Sequence, residues 1–256
     1  MGRFHRFLLI PAVSCFSFSI AASAHDLVLT KATSCEDLAF ARYIASLRAP
    51  DPFRAETVAV TIEAWSPRLH EESRVLMLRR PDASGRSLYL PLESEGELTV
   101  MLDWISSYLT ERDRLAALPL SSRAIIPSNY KFHYLGAIET EGAPAYGFRI
   151  VPRKKGDGLI HGEVWIDSQT GVTVAQSGYL VKTPSASIKR VEIAEDTKFD
   201  GESPVLRISH VVVETSKDGR GVLTITERRL AEGEKESEPS VPSTFRLSTQ
   251  LGRPRY

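Results

Sequence analysis

The side chains best able to do chemistry in this sequence are three histidines in separate apolar-alternating segments. His133, His161 and His210 each fall on a predicted strand, and neutral imidazole is the commonest metal ligand in proteins. No Cys or His pair stands at the spacing of a zinc site, and strand histidines without such partners are mostly structural or solvent-facing. We therefore predict no metal site and no cofactor.

No catalytic signature stands out along the chain. It contains no Gly-x-Ser-x-Gly and no His-Glu-x-x-His, and the glycines near Gly156 lack phosphate-loop spacing. Cys35, on a predicted first helix, is expected to be a small buried hydrophobe rather than a reactive thiol. These observations favour a protein that is not an enzyme.

Basic residues concentrate on and beside a predicted central hairpin. Lysines protect a sheet edge from pairing with other chains, so a solvated edge explains them. Contact with anionic lipid head groups is the alternative, because charge attraction suits a protein that visits membranes. The residues are Arg149, Arg153, Lys154, Lys155, Lys182, Lys189 and Arg190.

The first 24 residues have the form of an export signal. Arg3 and Arg6 precede an apolar run of 14 residues, 7–20, and Ala22-Ser23-Ala24 is a signal-peptidase site. Cleavage after Ala24 would place the protein in the periplasm. Lipidation at Cys15 is a less favoured alternative, because it leaves a very short apolar segment.

Cleavage also removes two arginines, so 30 basic residues face 32 acidic ones and the formal charge is −2. A surface this close to neutral argues against nucleic acid as a partner. The remaining chain has ordinary globular composition, 42% hydrophobic and 25% charged over the whole sequence. We predict one domain over residues 25–231, followed by a polar tail over 232–256 that ends in a candidate edge strand near Phe245.

Strands are predicted from residue 57 onward. Apolar and polar residues alternate between Thr57 and Trp65, with Val60 and Ile62 on the apolar side. Further on, apolar runs over 159–167 and 172–181 flank a polar turn that ends in Gly171, which predicts a hairpin. The strand signals recur about every dozen residues, with turn residues between them. This spacing predicts an antiparallel sheet that curls.

Two helices interrupt the strand pattern. Ser34 and Asp37 form a capping box for a helix ending near Leu47. An amphipathic helix is predicted over 98–118, ending before Pro119. Such an apolar stripe suits either ordinary core or a cover over a ligand. The stripe on this second helix consists of Met101, Trp104, Ile105, Tyr108, Leu109 and Leu115.

The hairpin carries a family resemblance. Ile150 to Lys155 is a strand that ends in proline and basic residues, Gly162 to Asp167 closes on aromatic-aliphatic-Asp, and Val172 to Val174 returns after the turn. This arrangement resembles the core of the bacterial outer-membrane lipoprotein-sorting proteins, the LolA-like superfamily. That superfamily includes the N-terminal domain of the periplasmic regulator of the envelope-stress sigma factor. The resemblance extends over about 55–230, and its motifs are structural.

The resemblance implies a fold and a function. The fold is mainly β with α: an unclosed, strongly curved antiparallel half-barrel of about ten to eleven strands, capped by an N-terminal helix and an inserted amphipathic helix. The function is that of a monomeric periplasmic carrier with membrane partner proteins, binding an acyl chain, a lipoprotein or another apolar ligand in the concave face. An envelope-stress sensor and an interaction scaffold with a self-filled groove are the alternatives. Candidate ligand contacts are Val60, Ile62, Met101, Trp104, Ile105, Tyr108, Val164 and Ile166.

Overall fold

The structure is a computed structural model that describes residues 34–83, 86–96, 98–139 and 144–230, with side chains described outside 98–102. The predicted signal peptide, Cys15 and the tail with its strand near Phe245 lie outside the described residues. Those expectations stay predictions. No described helix is both long and apolar enough to span a membrane.

Ten strands form one antiparallel sheet in the described part of the chain. They are β1 (Val58–Ser66), β2 (Glu71–Pro81), β3 (Ser87–Gly96), β4 (Tyr130–Glu139), β5 (Pro144–Pro152), β6 (Ile160–Asp167), β7 (Thr173–Leu180), β8 (Ile188–Asp200), β9 (Ser203–Thr215) and β10 (Arg220–Arg229). The spatial order is β3-β2-β1-β10-β9-β8-β7-β6-β5-β4. All neighbours are consecutive in sequence except β1 and β10, which pair from Val58↔Arg229 to Trp65↔Val222.

Four helices in the described ranges accompany the sheet. They are α1 (Cys35–Ser46), α2 (Pro52–Ala55), α3 (Leu98–Ala116) and α4 (Leu120–Arg123). The Ser34 side chain accepts a hydrogen bond from the Asp37 amide at 3.3 Å, so the predicted cap of α1 is confirmed. The amphipathic helix is confirmed as α3, which connects edge strand β3 to the segment that leads into edge strand β4.

The predicted fold class is confirmed. The two edge strands, β3 and β4, do not pair with one another in the described sheet, so the sheet is unclosed. Helix α3 packs on β1 and β2, and α1 packs on β6. The protein is therefore mainly β with α, a curved antiparallel half-barrel with helices against its sheet.

The central hairpin is held in place by its turn and by α1. The Asp167 carboxylate accepts hydrogen bonds from the Gln169 and Thr170 amides at 3.0 and 2.7 Å. Gly171 has φ +73° and lies against the backbone of α1 at Arg42, where a Cβ would clash. The aromatic-aliphatic-Asp signature thus shapes a turn onto which a helix can dock.

The buried apolar side chains that the structure describes form two clusters. The α3 cluster consists of Phe53, Val58, Val60, Ile62, Ala64, Val75, Met77, Ile105, Val191, Val211, Leu223 and Ile225, with Trp104 and Tyr108 packed against it. The α1 cluster consists of Tyr43, Tyr130, Phe148, Ile150, Leu159, Val164 and Ile166, with Phe40 and Phe132 packed against it.

The expectation that Cys35 is buried is wrong, because its thiol is exposed. Cys35 precedes the buried residues of α1, Ala39 and Tyr43, at the first turn of the helix. There it lies beside the half-buried Tyr146 rather than against the core.

Candidate functional site

The residues predicted to contact ligand divide between the two clusters. Trp104, Ile105 and Tyr108 meet Val60 and Ile62 in the α3 cluster. Val164 and Ile166 belong instead to the α1 cluster. The side chain of Met101 lies outside the described residues. The structure therefore brings the first five residues together beneath α3 and places the hairpin pair in the other cluster.

The space beneath α3 is filled by the protein's own side chains. Val60 and Ile62 are 0% exposed and Ile105 is 3% exposed. The Trp104 ring lies on the backbone of Gly221 in β10, so close that a Cβ at Gly221 would overlap the ring. A ligand could enter here only if α3 moved away from β1 and β10.

Two pockets that open on the described surface lie elsewhere and are lined by polar groups. One, of about 250 Å³, is bordered by Glu111, Arg114, Asp157 and Lys182, where the last turns of α3 meet the β5–β6 and β7–β8 loops. Arg114 Nη1 lies 2.9 Å and Lys182 Nζ 2.6 Å from Asp157.

The second pocket, of about 300 Å³, lies on the outer face of the sheet. Its lining includes Arg149, His161, Glu163, Ser177 and Tyr179. Neither pocket is lined by any of the eight residues predicted to bind ligand.

A buried ionic cluster borders the apolar surface beneath α3, and the sequence analysis did not predict it. The side chains of Arg79 on β2 and Glu227 on β10 are 3% and 2% exposed, and Arg79 Nη2 lies 3.4 Å from Glu227 Oε1. Arg112 of α3 donates a hydrogen bond to the same oxygen at 2.6 Å. Burial alone would lower the pKa of Arg112, but the Glu227 carboxylate raises it above its usual value. The ion pair joins helix to sheet.

A second part of the cluster surrounds Arg207 of β9. Arg207 donates to both carboxylate oxygens of Asp51 at 3.0 and 3.1 Å, and its Nε lies 3.6 Å from Glu195. Its guanidinium also lies 4.3 Å above the Phe53 ring. Burial would raise the pKa of Asp51, but the charge and hydrogen bonds of Arg207 hold it below its usual value. Asp51 therefore remains a carboxylate.

A positional signal for this cluster exists in the sequence. Arg79 falls in phase with Val75 and Met77 on the inward side of β2, and Glu227 follows Leu223 and Ile225 at even spacing. A charged residue in phase with apolar neighbours indicates a buried charge that needs a partner. The structure places Arg79 inward and Arg80 outward.

The predicted basic residues lie mostly at one end of the sheet. Residues 153–155 follow β5, Lys182 follows β7, and Lys189 and Arg190 begin β8. Arg190 pairs with Glu192 at 2.6 Å and lies over the Tyr179 ring. Arg153 donates to the Pro127 and Tyr130 carbonyls. Their role as a lipid-contacting surface stays a prediction.

The three strand histidines do not converge. The His161 and Tyr179 side chains share a hydrogen bond at 2.9 Å, and His210 shares one with Thr224 at 3.2 Å. His133 is exposed on β4. Among the described residues, no group of three or more His, Cys, Asp or Glu side chains is placed to hold a metal ion.

No family model and no curated protein matches the chain. Solved structures do match. A LolA superfamily protein from Nitrosomonas europaea matches at 12% identity over 78% of this chain and 97% of its own, with a TM-score of 0.31. An outer membrane lipoprotein-sorting protein domain from Vibrio parahaemolyticus matches at 8% identity over 79% and 97%, with a TM-score of 0.29.

The complex of MucA and MucB from Pseudomonas aeruginosa also matches, at 14% identity over 78% of this chain and 96% of its own, with a TM-score of 0.24. The first two descriptions name the family that the sequence resembles. Identities and TM-scores this low carry no argument about function.

Proposed function

We propose that this protein is an exported, periplasmic carrier that binds an acyl chain or another apolar ligand between α3 and the concave face of the sheet. It acts as a monomer without catalysis or cofactor, and it exchanges its ligand with membrane partner proteins or lipoproteins. In the structure α3 packs directly on the sheet, so ligand entry requires the helix to move.

One observation carries this proposal: a single helix covers an apolar surface that spans several strands of an unclosed sheet. The covered surface runs from Met77 on β2 through Val60 and Ile62 on β1 to Ile225 on β10. Burying an acyl chain there would gain about 0.8 kcal/mol per methylene, so about a dozen methylenes would offset the displacement of one helix.

The polar attachments of α3 favour movement. Arg112 meets Glu227, Arg114 meets Asp157, and the Tyr89 hydroxyl donates to Asp113 at 3.3 Å. Water can replace each of these contacts when the helix moves away from the sheet. The apolar surface exposed by that movement is unfavourable in water unless another apolar group covers it. An acyl chain is a cover of suitable chemistry.

Titration of a neutral monoacylglycerol tests the proposal. Tryptophan fluorescence should change in wild type and in Trp165→Phe, because Trp165 lies on Gly147 away from α3. The change should be lost in Trp104→Phe. A response that follows Trp165 instead, or calorimetry that detects no binding to wild type, would contradict a site beneath α3.

The packing of the α3 cluster favours a second candidate, an interaction scaffold whose groove is permanently self-filled. Val58, Val60, Ile62 and Ala64 are all 0% exposed. Organic extraction of the purified protein followed by mass spectrometry separates the two. Recovered acyl lipid supports the carrier, and its absence, together with a stable complex with an inner-membrane protein, supports a scaffold or an envelope-stress sensor.

A further inference from the structure

We propose that the arginines around α2, α3 and α4 form a binding site for an oxyanion, the phosphate or carboxylate head group of an amphiphile. The inference deepens the proposed function, since the chain of that amphiphile would occupy the α3 cluster. The arginine cluster consists of Arg54 on α2, Arg79 on β2, Arg112 on α3, Arg123 on α4 and Arg207 on β9.

Positive charge exceeds negative charge in this cluster. The contacting carboxylates are Glu227, Asp51 and Glu195, which makes three anions against five guanidinium groups. Cations remain in excess even when Asp113, which accepts from Tyr89, is counted. An oxyanion would correct this imbalance.

Two of the arginines have weak or no ionic partners within the described residues. Arg123 donates only to the Leu118 carbonyl, at 3.3 Å. Arg54 approaches Asp51 no closer than 3.9 Å. Burial, and then the positive charges of Arg123 and Arg112, lower the pKa of Arg54. The charge of Arg123 therefore acts on Arg54, and both half-buried side chains are accessible to an anion from solvent.

Further buried donors lie behind them. Arg79 Nε has no hydrogen-bond acceptor, and Arg79 Nη2 and Arg207 Nε lie 3.4 and 3.6 Å from carboxylates without forming hydrogen bonds. A buried donor without an acceptor is costly, and guanidinium groups match the oxygens of phosphate and carboxylate in two-point hydrogen bonds. When α3 lifts, an entering head group could accept from these groups.

The position of the cluster beside apolar surface selects an amphiphile rather than a small anion. Arg79 is two residues from Met77 on the same face of β2, and Glu227 is two residues from Ile225 on β10. Arg207 lies over Phe53, which belongs to the α3 cluster. One molecule could therefore place its head among the arginines and its chain beneath α3.

Calorimetry with four probes tests the site: dodecyl phosphate, dodecyl maltoside, dodecyltrimethylammonium and inorganic phosphate. Wild type should bind dodecyl phosphate roughly tenfold to a hundredfold more tightly than dodecyl maltoside, the size of one charge-assisted hydrogen bond. The preference should shrink as salt is added. Dodecyltrimethylammonium should bind most weakly.

A double variant, Arg54→Gln with Arg123→Gln, should abolish the preference for dodecyl phosphate. The matched control is Arg74→Gln with Arg220→Gln, which removes the same charge from exposed positions on β2 and β10 and should keep the preference. Melting temperatures of both variants establish that they are folded.

The remaining outcomes separate this inference from the proposed function. Equal binding of the phosphate and the maltoside, or a preference that survives in the Arg54 and Arg123 variant, overturns the oxyanion site and leaves the apolar ligand site standing. Binding of inorganic phosphate alone, dependent on Arg54 and Arg123, supports the oxyanion site with free phosphate as its ligand and contradicts the carrier. No binding of any probe overturns both.

Discussion

The α1 cluster and the α3 cluster pack on the same sheet, but different kinds of side chain border them. Around α1, aromatic rings close the cluster: Phe40 lies 4.8 Å from Phe132 and 5.5 Å from Phe148, measured between ring centroids. The buried polar groups there are neutral and paired, as in the Tyr43 hydroxyl, which donates to the Ile125 carbonyl at 2.9 Å. Around α3, arginines and carboxylates border the apolar surface.

This difference indicates which of the two helices stays packed on the sheet. Separating α1 from the sheet would expose aromatic surface and break neutral hydrogen bonds in an apolar setting, both of which are costly. Separating α3 would expose charged groups that water solvates well, and an ion pair is a less favourable way to hold a core than apolar packing. We therefore expect the α1 cluster to carry stability and the α3 cluster to carry function.

The largest effect is expected from placing charge in the α1 cluster. Val164→Asp with Ile166→Asp puts two carboxylates where both side chains are 0% exposed, and the domain should not fold. The control is Lys131→Asp with His133→Asp on β4, where both side chains are exposed. Circular dichroism should show a folded control and an unfolded core variant. A soluble core variant with an unchanged melting temperature would contradict the placement of the cluster.

Removal of one charge from the α3 cluster should have the next largest effect. Glu227→Gln leaves Arg79 and Arg112 without their shared carboxylate, and we expect a loss of about 3 to 5 kcal/mol in the free energy of unfolding. The matched control is Glu63→Gln on β1, whose partner Arg74 lies 3.7 Å away with both side chains about half exposed. That change should cost about 0.5 kcal/mol or less.

Denaturant unfolding of both variants provides the measurement, and equal losses would show that Glu227 is not a special anchor. A triple variant refines the result. Replacing Glu227 with Leu and both Arg79 and Arg112 with Met removes all three charges, and it should recover much of the lost stability. Failure to recover would mean that the shape of the ionic contact matters more than its charge.

The parts of this fold that the sequence predicted are those specified by neighbouring residues. The cap of α1 at Ser34 depends on a contact with Asp37, and the hairpin turn depends on Asp167 and Gly171. Strand and helix periods are likewise local. These elements could be predicted without knowing what packs on them.

Features built from distant residues could not be predicted in the same way. The pairing of β1 with β10 joins Val58 to Arg229, and no local pattern selects that neighbour among ten strands. The ion pair of Arg79 and Glu227 depends on this pairing and therefore stayed hidden. Val60 and Val164 belong to different clusters, and this separation also depends on distant residues, because it follows from the curvature of the whole sheet.

Two tryptophan–glycine contacts permit a finer comparison of buried and exposed packing. Trp104 lies on Gly221 within the α3 cluster, and Trp165 lies on Gly147 at the outer face. Gly221→Ala should displace Trp104 at a cost of about 1 to 3 kcal/mol, the usual range for overpacking. In Gly147→Ala the half-buried ring can swing into solvent, and alanine suits a strand better than glycine by about 0.5 kcal/mol or more.

Melting curves and tryptophan emission measure both substitutions. We expect a lower melting temperature and altered emission for Gly221→Ala, against a nearly unchanged melting temperature for Gly147→Ala. If Gly147→Ala lowered the melting temperature more than Gly221→Ala, α3 would be displaced more easily than the Trp165 ring. The two clusters would then differ even more in how firmly their helices are held.

The smallest effect is expected at Asp51, where charge can be removed while the helix cap is kept. Asn caps helices as well as Asp does, so Asp51→Asn keeps the cap and removes the charge that pairs closely with Arg207 and more distantly with Arg54. The pKa of Asp51 is lowered from its ordinary 3.8, so its carboxylate stabilises the fold above that value, and this contribution is lost as pH falls through the lower folded pKa. Asp51→Asn should cost about 1 kcal/mol near neutral pH and progressively less in acid.

The control is Asp157→Asn, whose carboxylate meets Arg114 and Lys182 at the surface, where solvent weakens ion pairs and the loss should be smaller. Urea unfolding across the acid range provides the test. A loss at Asp51 that does not change with pH would mean that geometry, and not charge, joins α2 to β9.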